Sequence, residues 1–170
     1  MTGKTHAAAG LLVGTAVAMQ FELDIFETVT SMVIASIASI FPDICHTQSK
    51  IGRKVPLLSW IVKRLFGHRT LTHSILFIAI IYGLLYTIQT PIYYMISIIC
   101  GMLSHVILDM LTPRGVHLLF PLPIKVRFPI QFKTGGLLDL SLATTFSILT
   151  IYILFDEGLR NIIDSLLHGM

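Results

Sequence analysis

Between Ser74 and Leu108 the chain carries no Asp, Glu, Lys or Arg. A water-soluble fold cannot leave so long a run uncharged and still cover its surface. Similar apolar runs recur along the chain, at residues 7–19, 29–41, 74–89, 92–110 and 137–155. Only 12% of the 170 residues are charged, against roughly 25% in an ordinary soluble domain. The mean hydropathy is +0.82. A bilayer must therefore be the solvent for much of this chain. The expected architecture is all-α, a multi-pass transmembrane helix bundle of about five spans forming a single domain over 1–170. Thr90-Pro91 breaks the longest run, which predicts a hairpin of two helices. The first two runs are shorter than the 17–25 residues of a full span, so their polar ends extend them or they are shielded from lipid. The first also has the outline of a signal peptide, with Lys4 before it and Ala16-Val17-Ala18 as a cleavage site. Its charged region is weak, and cleavage would discard His6. The tail at 158–167 has helical spacing and reads as a surface-lying segment or as a helix end.

Charge sets the expected orientation. With the N-terminus cytoplasmic and five alternating spans, Lys4, Lys50, Arg53, Lys54, Lys63, Arg64, Arg69, Arg114, Lys125, Arg127 and Lys133 fall inside, and Arg160 alone falls outside. That is the pattern of the positive-inside rule. The basic pI near 9.0 then reflects topology and attraction to anionic lipid, with no nucleic-acid partner implied. Glu22, Asp24, Glu27, Asp156, Glu157 and Asp164 fall outside, but Asp43, Asp109 and Asp139 stay on or near the basic side. His6, His46, His68, His73, His105 and His117 map to that side too. Imidazoles and carboxylates from separate segments thus gather at one face, as in a metal site built from helix ends. Two cysteines, Cys45 and Cys100, make neither a disulfide framework nor a cysteine-only zinc site.

Three motifs carry most of the chemistry. In His105-Val-Ile-Leu-Asp109 the i, i+4 spacing puts an imidazole and a carboxylate on one helix face. Both can bind one ion, or the Asp can orient the His; the alternative is a His–Asp hydrogen bond that only joins helices. His68 and His73 are five apart, which suits a loop feeding a helix N-terminus capped by Thr70 or Thr72. Arg69 between them and that N-terminus would favour an anionic group such as phosphate, while a basic juxtamembrane loop is the plain alternative. In Pro42-Asp43-Ile44-Cys45-His46 the Pro ends a helix and Asp43 and His46 follow. His6 alone at a span's start is more often an interfacial residue than a ligand. The Pro- and Gly-rich segment 111–136 reads as a partly embedded loop in which Arg114, Lys125 and Arg127 can bind a lipid phosphate or simply snorkel. Asp139, after Gly135-Gly136, is a candidate further ligand or general base.

Taken together, Thr5-His6, Pro42-Asp43 with His46, Gly67-His68-Arg69 with Thr72-His73-Ser74, and Ser104-His105 with Asp109 to Pro113 resemble the YdjM-like family of membrane-bound, metal-dependent hydrolases, described as LexA-regulated in some bacteria. Arg127-Phe128-Pro129-Ile130 and the stretch 135–139 look familial as well, so the resemblance covers roughly residues 4–140. Two positions depart from it: Cys45 replaces a familial Asp, and Asp139 stands where Glu is common. Cys45 can still bind a soft metal as thiolate. The family is distantly similar to zinc-dependent phospholipase C, which implies phosphoester hydrolysis.

The resulting expectation is a hydrolase of the bacterial cytoplasmic membrane with two or three zinc ions, manganese being the second choice. Its ligands are His6, Asp43, His46, His68, His73, His105 and Asp109. Asp139 and Arg69 are the catalytic candidates, and Arg69, Arg114 and Arg127 bind substrate, a lipid phosphoester at headgroup depth. The rival expectation is a non-catalytic metal-binding membrane protein, a transporter or sensor, although transport sites lie nearer the bilayer midplane.

Overall fold

The computed structural model describes residues 1–46, 53–57, 60–61, 64 and 69–168, with the side chains of 160–168 outside that description. The described residues form five bounded α-helices: α1 (Gly3–Gln20), α2 (Ile25–Ala38), α3 (Ile75–Thr87), α4 (Ile92–Met110) and α5 (Leu137–His168). Two 3-10 turns, Phe41–Cys45 and Leu71–His73, follow α2 and precede α3. Among the described residues β pairing is confined to one antiparallel bridge, Val116 with Val126.

Local signals set the helix ends. Asp24 caps α2 by accepting from the Glu27 N–H at 2.8 Å. Pro42 lies in the first turn of the 3-10 segment Phe41–Cys45, which also holds Asp43. The cap of α3 is Ser74, which accepts from the Phe77 N–H at 3.2 Å. The expectation of a Thr70 or Thr72 cap is thereby corrected: the intervening residues close a 3-10 turn, moving the helix start later and leaving Thr72 to pair with His73. Pro91 opens α4 and completes the expected α3–α4 hairpin.

Among the described residues, three stretches are long and apolar enough to cross a bilayer: Ile25–Cys45, Ile92–Met110 and Leu137–Leu159. α3, at 13 residues, reaches only about 20 Å at 1.5 Å per residue. α1 is the central helix, packed on α2, α4 and α5, with Thr5, His6 and Thr15 among its buried residues. That fits its short apolar run: much of its surface faces protein, although Ala16 stays exposed. Backbone contact makes this packing possible. A Cβ on Gly10 or Gly14 would lie 2.6 Å from the carbonyl oxygen of Ala35 or Ser31 on α2, and one on Gly101 of α4 would lie 2.5 Å from the same Ala35 oxygen. In a bilayer such small-residue contacts hold helices together where apolar burial cannot. Ile25, Phe26, Ile151 and Tyr152 face outward. The tail after residue 158 continues α5 as helix.

The segment between α4 and α5 folds back over the end of α4. The Phe128 and Phe132 N–H groups donate to the Met110 and Leu111 carbonyls at 2.9 and 2.7 Å. Val116 packs with Ala38, Ile78, Met102 and Val106 in a core directly beneath it.

Candidate metal centre

Because successive helices alternate in direction, the starts of α1, α3 and α5 meet the ends of α2 and α4. His6 sits one turn into α1, Asp43 in the turn after α2, His73 in the turn before α3, and His105 and Asp109 in the last turns of α4. Ser39 ties the first two elements together, its hydroxyl donating to the His6 carbonyl at 2.7 Å.

Asp43, His73, His105 and Asp109 each offer one ligand atom, and these atoms all lie within 4.8 Å of one another. The Nε2 atoms of His73 and His105 are 3.1 Å apart. Asp109 Oδ2 is 3.4 Å from His73 Nε2 and 3.6 Å from His105 Nε2, and Asp43 Oδ1 is 4.0 Å from His105 Nε2. The outer edges of both rings are occupied: His105 Nδ1 donates to the Ser39 carbonyl at 2.6 Å, and Thr72 Oγ1 sits 3.0 Å from His73 Nδ1. Such contacts fix the ring and the tautomer and turn the Nε2 lone pair of His105 inward. His6 stacks on His105 with ring centroids 3.9 Å apart, and its Nε2 is 3.4 Å from Asp109 Oδ1.

Two further groups touch Asp109. The Met1 amino group contacts Oδ1, and Arg69 Nη2 lies 2.8 Å from Oδ2. The carboxylate's charge is thus offset by cations, and it does not by itself demand an ion. The imidazoles could hold one. His6 Nδ1 is buried with no hydrogen-bond partner, which costs roughly 1–3 kcal/mol, and its Nε2 has only the Asp109 Oδ1 contact at 3.4 Å. Two Nε2 atoms at 3.1 Å tolerate each other only with a proton or a cation between them. On His73 burial drives the proton off, but the Asp109 carboxylate and the Cys45 thiol outweigh it and raise its pKa to about 9. An ion entering the group has to displace that proton. Two buried imidazoles and two carboxylates form a donor set that could hold a metal ion.

The YdjM inner membrane protein family model matches residues 1–162. The chain belongs to this family. Membership, with three helices long and apolar enough to cross a bilayer, places the YdjM-family chain in the bacterial inner membrane. It is similar to YvsG of Bacillus subtilis (strain 168), an uncharacterized protein, at 45% identity over 136 residues, 80% of this chain and 83% of that one. It is also 36% identical over 108 residues to the inner membrane protein YdjM of Escherichia coli (strain K12), covering 60% of this chain and 55% of the relative; the Shigella flexneri protein gives the same values. No solved structure matches.

Within this YdjM-family fold the expected site residues separate. Asp43, His73, His105 and Asp109 converge, and His6 flanks them through Asp109. His46 lines, with Asp43 and Arg69, a cleft of about 330 Å³ that also contains Arg114 and Lys133. Cys45 is buried against His73 and stands outside the group of four. His68 lies outside the described residues. Asp139 is not brought into the group. Its carboxylate accepts from the Gly135 N–H at 2.8 Å, from the Thr2 N–H at 3.0 Å and from the Thr5 hydroxyl. Those bonds anchor the start of α1, and hence His6, to the start of α5. Arg114 and Arg127 share a second recess with Arg69. Sequence reasoning passed over Ser39 and Gly10, and quoted Thr5 only as part of Thr5-His6. No motif advertises the roles of Ser39 and Thr5, because a carbonyl or hydroxyl contact depends on another helix. Gly10-Leu-Leu-Val-Gly14 is a small-xxx-small pattern that periodic reading of small residues would have found.

Proposed function

We propose that this YdjM-family protein is a membrane-embedded metal-dependent hydrolase acting on a phosphoester of a lipid at the cytoplasmic interface. The observation that carries the reading is the pair of inward-facing Nε2 atoms on His73 and His105, set 3.1 Å apart between the carboxylates of Asp43 and Asp109. Simple helix-joining His–Asp pairs would each form one close hydrogen bond, whereas here three imidazoles crowd one carboxylate at 3.4–3.6 Å and His6 Nδ1 has no hydrogen-bond partner.

In this reading Asp43, His73, His105 and Asp109 hold the ion, and His6 completes or orients the set. When bound, zinc or manganese supplies Lewis acidity and a water nucleophile at neutral pH. The chain's own groups do the rest. Ser39 and Thr72 hold the two rings in place. Asp43, half-buried at the mouth, faces the 330 Å³ cleft through which substrate reaches the ion. Arg69 spans the centre and that cleft, where its guanidinium can meet a substrate phosphoryl oxygen. Asp139 anchors α1 in this scheme and does not serve as a base. The segregation of Lys and Arg supports a cytoplasmic N-terminus, and with it a cytoplasmic site. The placement of all ligands at helix ends favours an enzyme over a transporter.

The test is metal per protein by elemental analysis, paired with phosphate or headgroup release from a lipid panel. His105→Ala loses metal and turnover together. Arg69→Ala keeps the metal, since it removes a cation competing for Asp109, but loses turnover by about 100-fold or more. Well-folded, metal-free wild-type protein that gains no activity with added zinc or manganese refutes the enzyme reading.

A further inference from the structure

Beside the metal centre lies a second recess of about 470 Å³, lined by Arg69, Arg114, His117, Lys125 and Arg127 together with Pro113 and Gly115. No Asp or Glu is among the described residues that line it. We infer that this recess binds a phosphate group carrying two or more negative charges, of the phosphomonoester or diphosphate class, at a position separate from the metal ion.

The recess is built by backbone pairing. Val116 and Val126 exchange N–H···O bonds of 3.0 and 2.8 Å, which brings Arg114 and His117 on one strand of chain opposite Lys125 and Arg127 on the other. Gly115, at φ +61°, allows the approach: a Cβ there would meet the Val126 oxygen at 2.8 Å and Arg127 Cβ at 3.2 Å. Arg69 closes the recess from the other side. Its backbone is held in the left-handed region at φ +59°, which a non-glycine residue keeps only when its surroundings demand it. The His117 N–H (3.1 Å) and Nδ1 (3.3 Å) both bind the Arg69 carbonyl and supply that constraint.

Topology alone explains why cations lie on this side of the protein. It does not explain why four guanidinium and ammonium groups from two separate segments line one recess without a carboxylate. Like charges so gathered repel one another and concentrate anions. Arg69 lines the recess with a guanidinium already fixed in place, Nη1 donating to the Thr112 hydroxyl and Nη2 paired with Asp109, each at 2.8 Å. A singly charged phosphodiester would leave most of the cationic charge uncompensated, which selects the more highly charged class. Arg69 and Arg114 also line the cleft at Asp43, so one molecule can reach both sites. For which compound is turned over, this inference rests on the hydrolase reading; for anion binding it does not.

The experiment uses full-length protein in neutral detergent and equilibrium binding of radiolabelled pyrophosphate and inorganic phosphate. Both are titrated with metal present and again after EDTA treatment. Lys125→Gln/Arg127→Gln is expected to weaken binding by about 100-fold, roughly tenfold for each cation removed, with metal content unchanged. Arg114→Gln, a single change on the opposite wall, gives an independent tenfold loss should the double variant fail to fold. Binding that survives EDTA in wild type supports a site distinct from the metal, and keeps the inference standing even where the hydrolase reading fails. Competition by phosphatidic acid micelles identifies a lipid headgroup as the source, and competition by soluble phosphates alone identifies a free compound; either supports the recess. Affinity unchanged in both variants overturns the inference. So does binding abolished by EDTA alone, or phosphatidylglycerol competing as well as phosphatidic acid.

Discussion

Replacing Asp109 with Asn keeps the shape of the side chain and removes its charge at the point where three imidazoles, Arg69 and the Met1 amino group meet. Two free-energy terms change, and a chelator separates them. In metal-free protein the change is the broken pairing with Arg69, 2.8 Å away, and with the Met1 amino group. Removing one partner of a buried ion pair costs about 3–5 kcal/mol, and the lower end applies here because Arg69 borders open clefts and can turn toward water. With metal the second term appears. An ion at 100 times its Kd stabilises the wild type by about 2.7 kcal/mol, and a variant without this ligand by much less. At about 2–4 °C per kcal/mol for a chain of this size, zinc should raise the wild-type Tm by about 5–11 °C. Asp109→Asn should start lower and gain little. The assay is helical circular dichroism against temperature for both proteins, with zinc and with EDTA. Zinc raising both Tm values equally, or neither, refutes Asp109 as a metal ligand and leaves it a structural ion pair.

Four further outcomes are expected. Gly14→Ala should destabilise by about 1–3 kcal/mol, because its Cβ would enter the α1–α2 contact, whereas Gly83→Ala, with nothing within 4 Å of its Cβ, should stabilise by up to about 1 kcal/mol; thermal unfolding in detergent measures both. Asp139→Ala should lower the Tm by stranding the Gly135 and Thr2 N–H groups, at about 1–3 kcal/mol each, yet retain metal in the cold; loss of metal from folded protein would restore Asp139 as a ligand. Cys45, buried against His73, should react with a thiol reagent faster after chelation, and equal rates would remove it from the neighbourhood of the ion. A reporter fused after Met170 should lie outside and one inserted in the segment 47–52 inside, while a C-terminus on the inner side would break the orientation read from Lys and Arg.

The sequence by itself determined the solvent, the helical class, the α3–α4 hairpin and the end of the bundle at which chemistry gathers. Those conclusions need only counting: a chain with so few charges has one place to go, and alternating helices bring His6, Asp43, His73, His105 and Asp109 to a common end by direction alone. The His105–Asp109 pair was legible because i, i+4 spacing fixes a shared face whatever the neighbours do. What the sequence left open was every relation between helices. It offered Asp43 and His46 as ligands, Asp139 as a base or further ligand and Cys45 as a candidate soft-metal donor, with no means of ranking their distances from the ion. Only the packing of Gly10 and Gly14 on α2, with Gly101 pressed on Ala35, decided how closely the helix ends approach. At that separation Asp43 reaches His105, Cys45 turns against His73, and Asp139 is taken up by the N–H groups of Gly135 and Thr2. Likewise Arg114 and Arg127 were visible as charges, but their meeting around one recess depends on the Val116–Val126 pairing and the left-handed Arg69. A residue's type is written locally, while its distance to another helix is fixed by the backbone contacts between them.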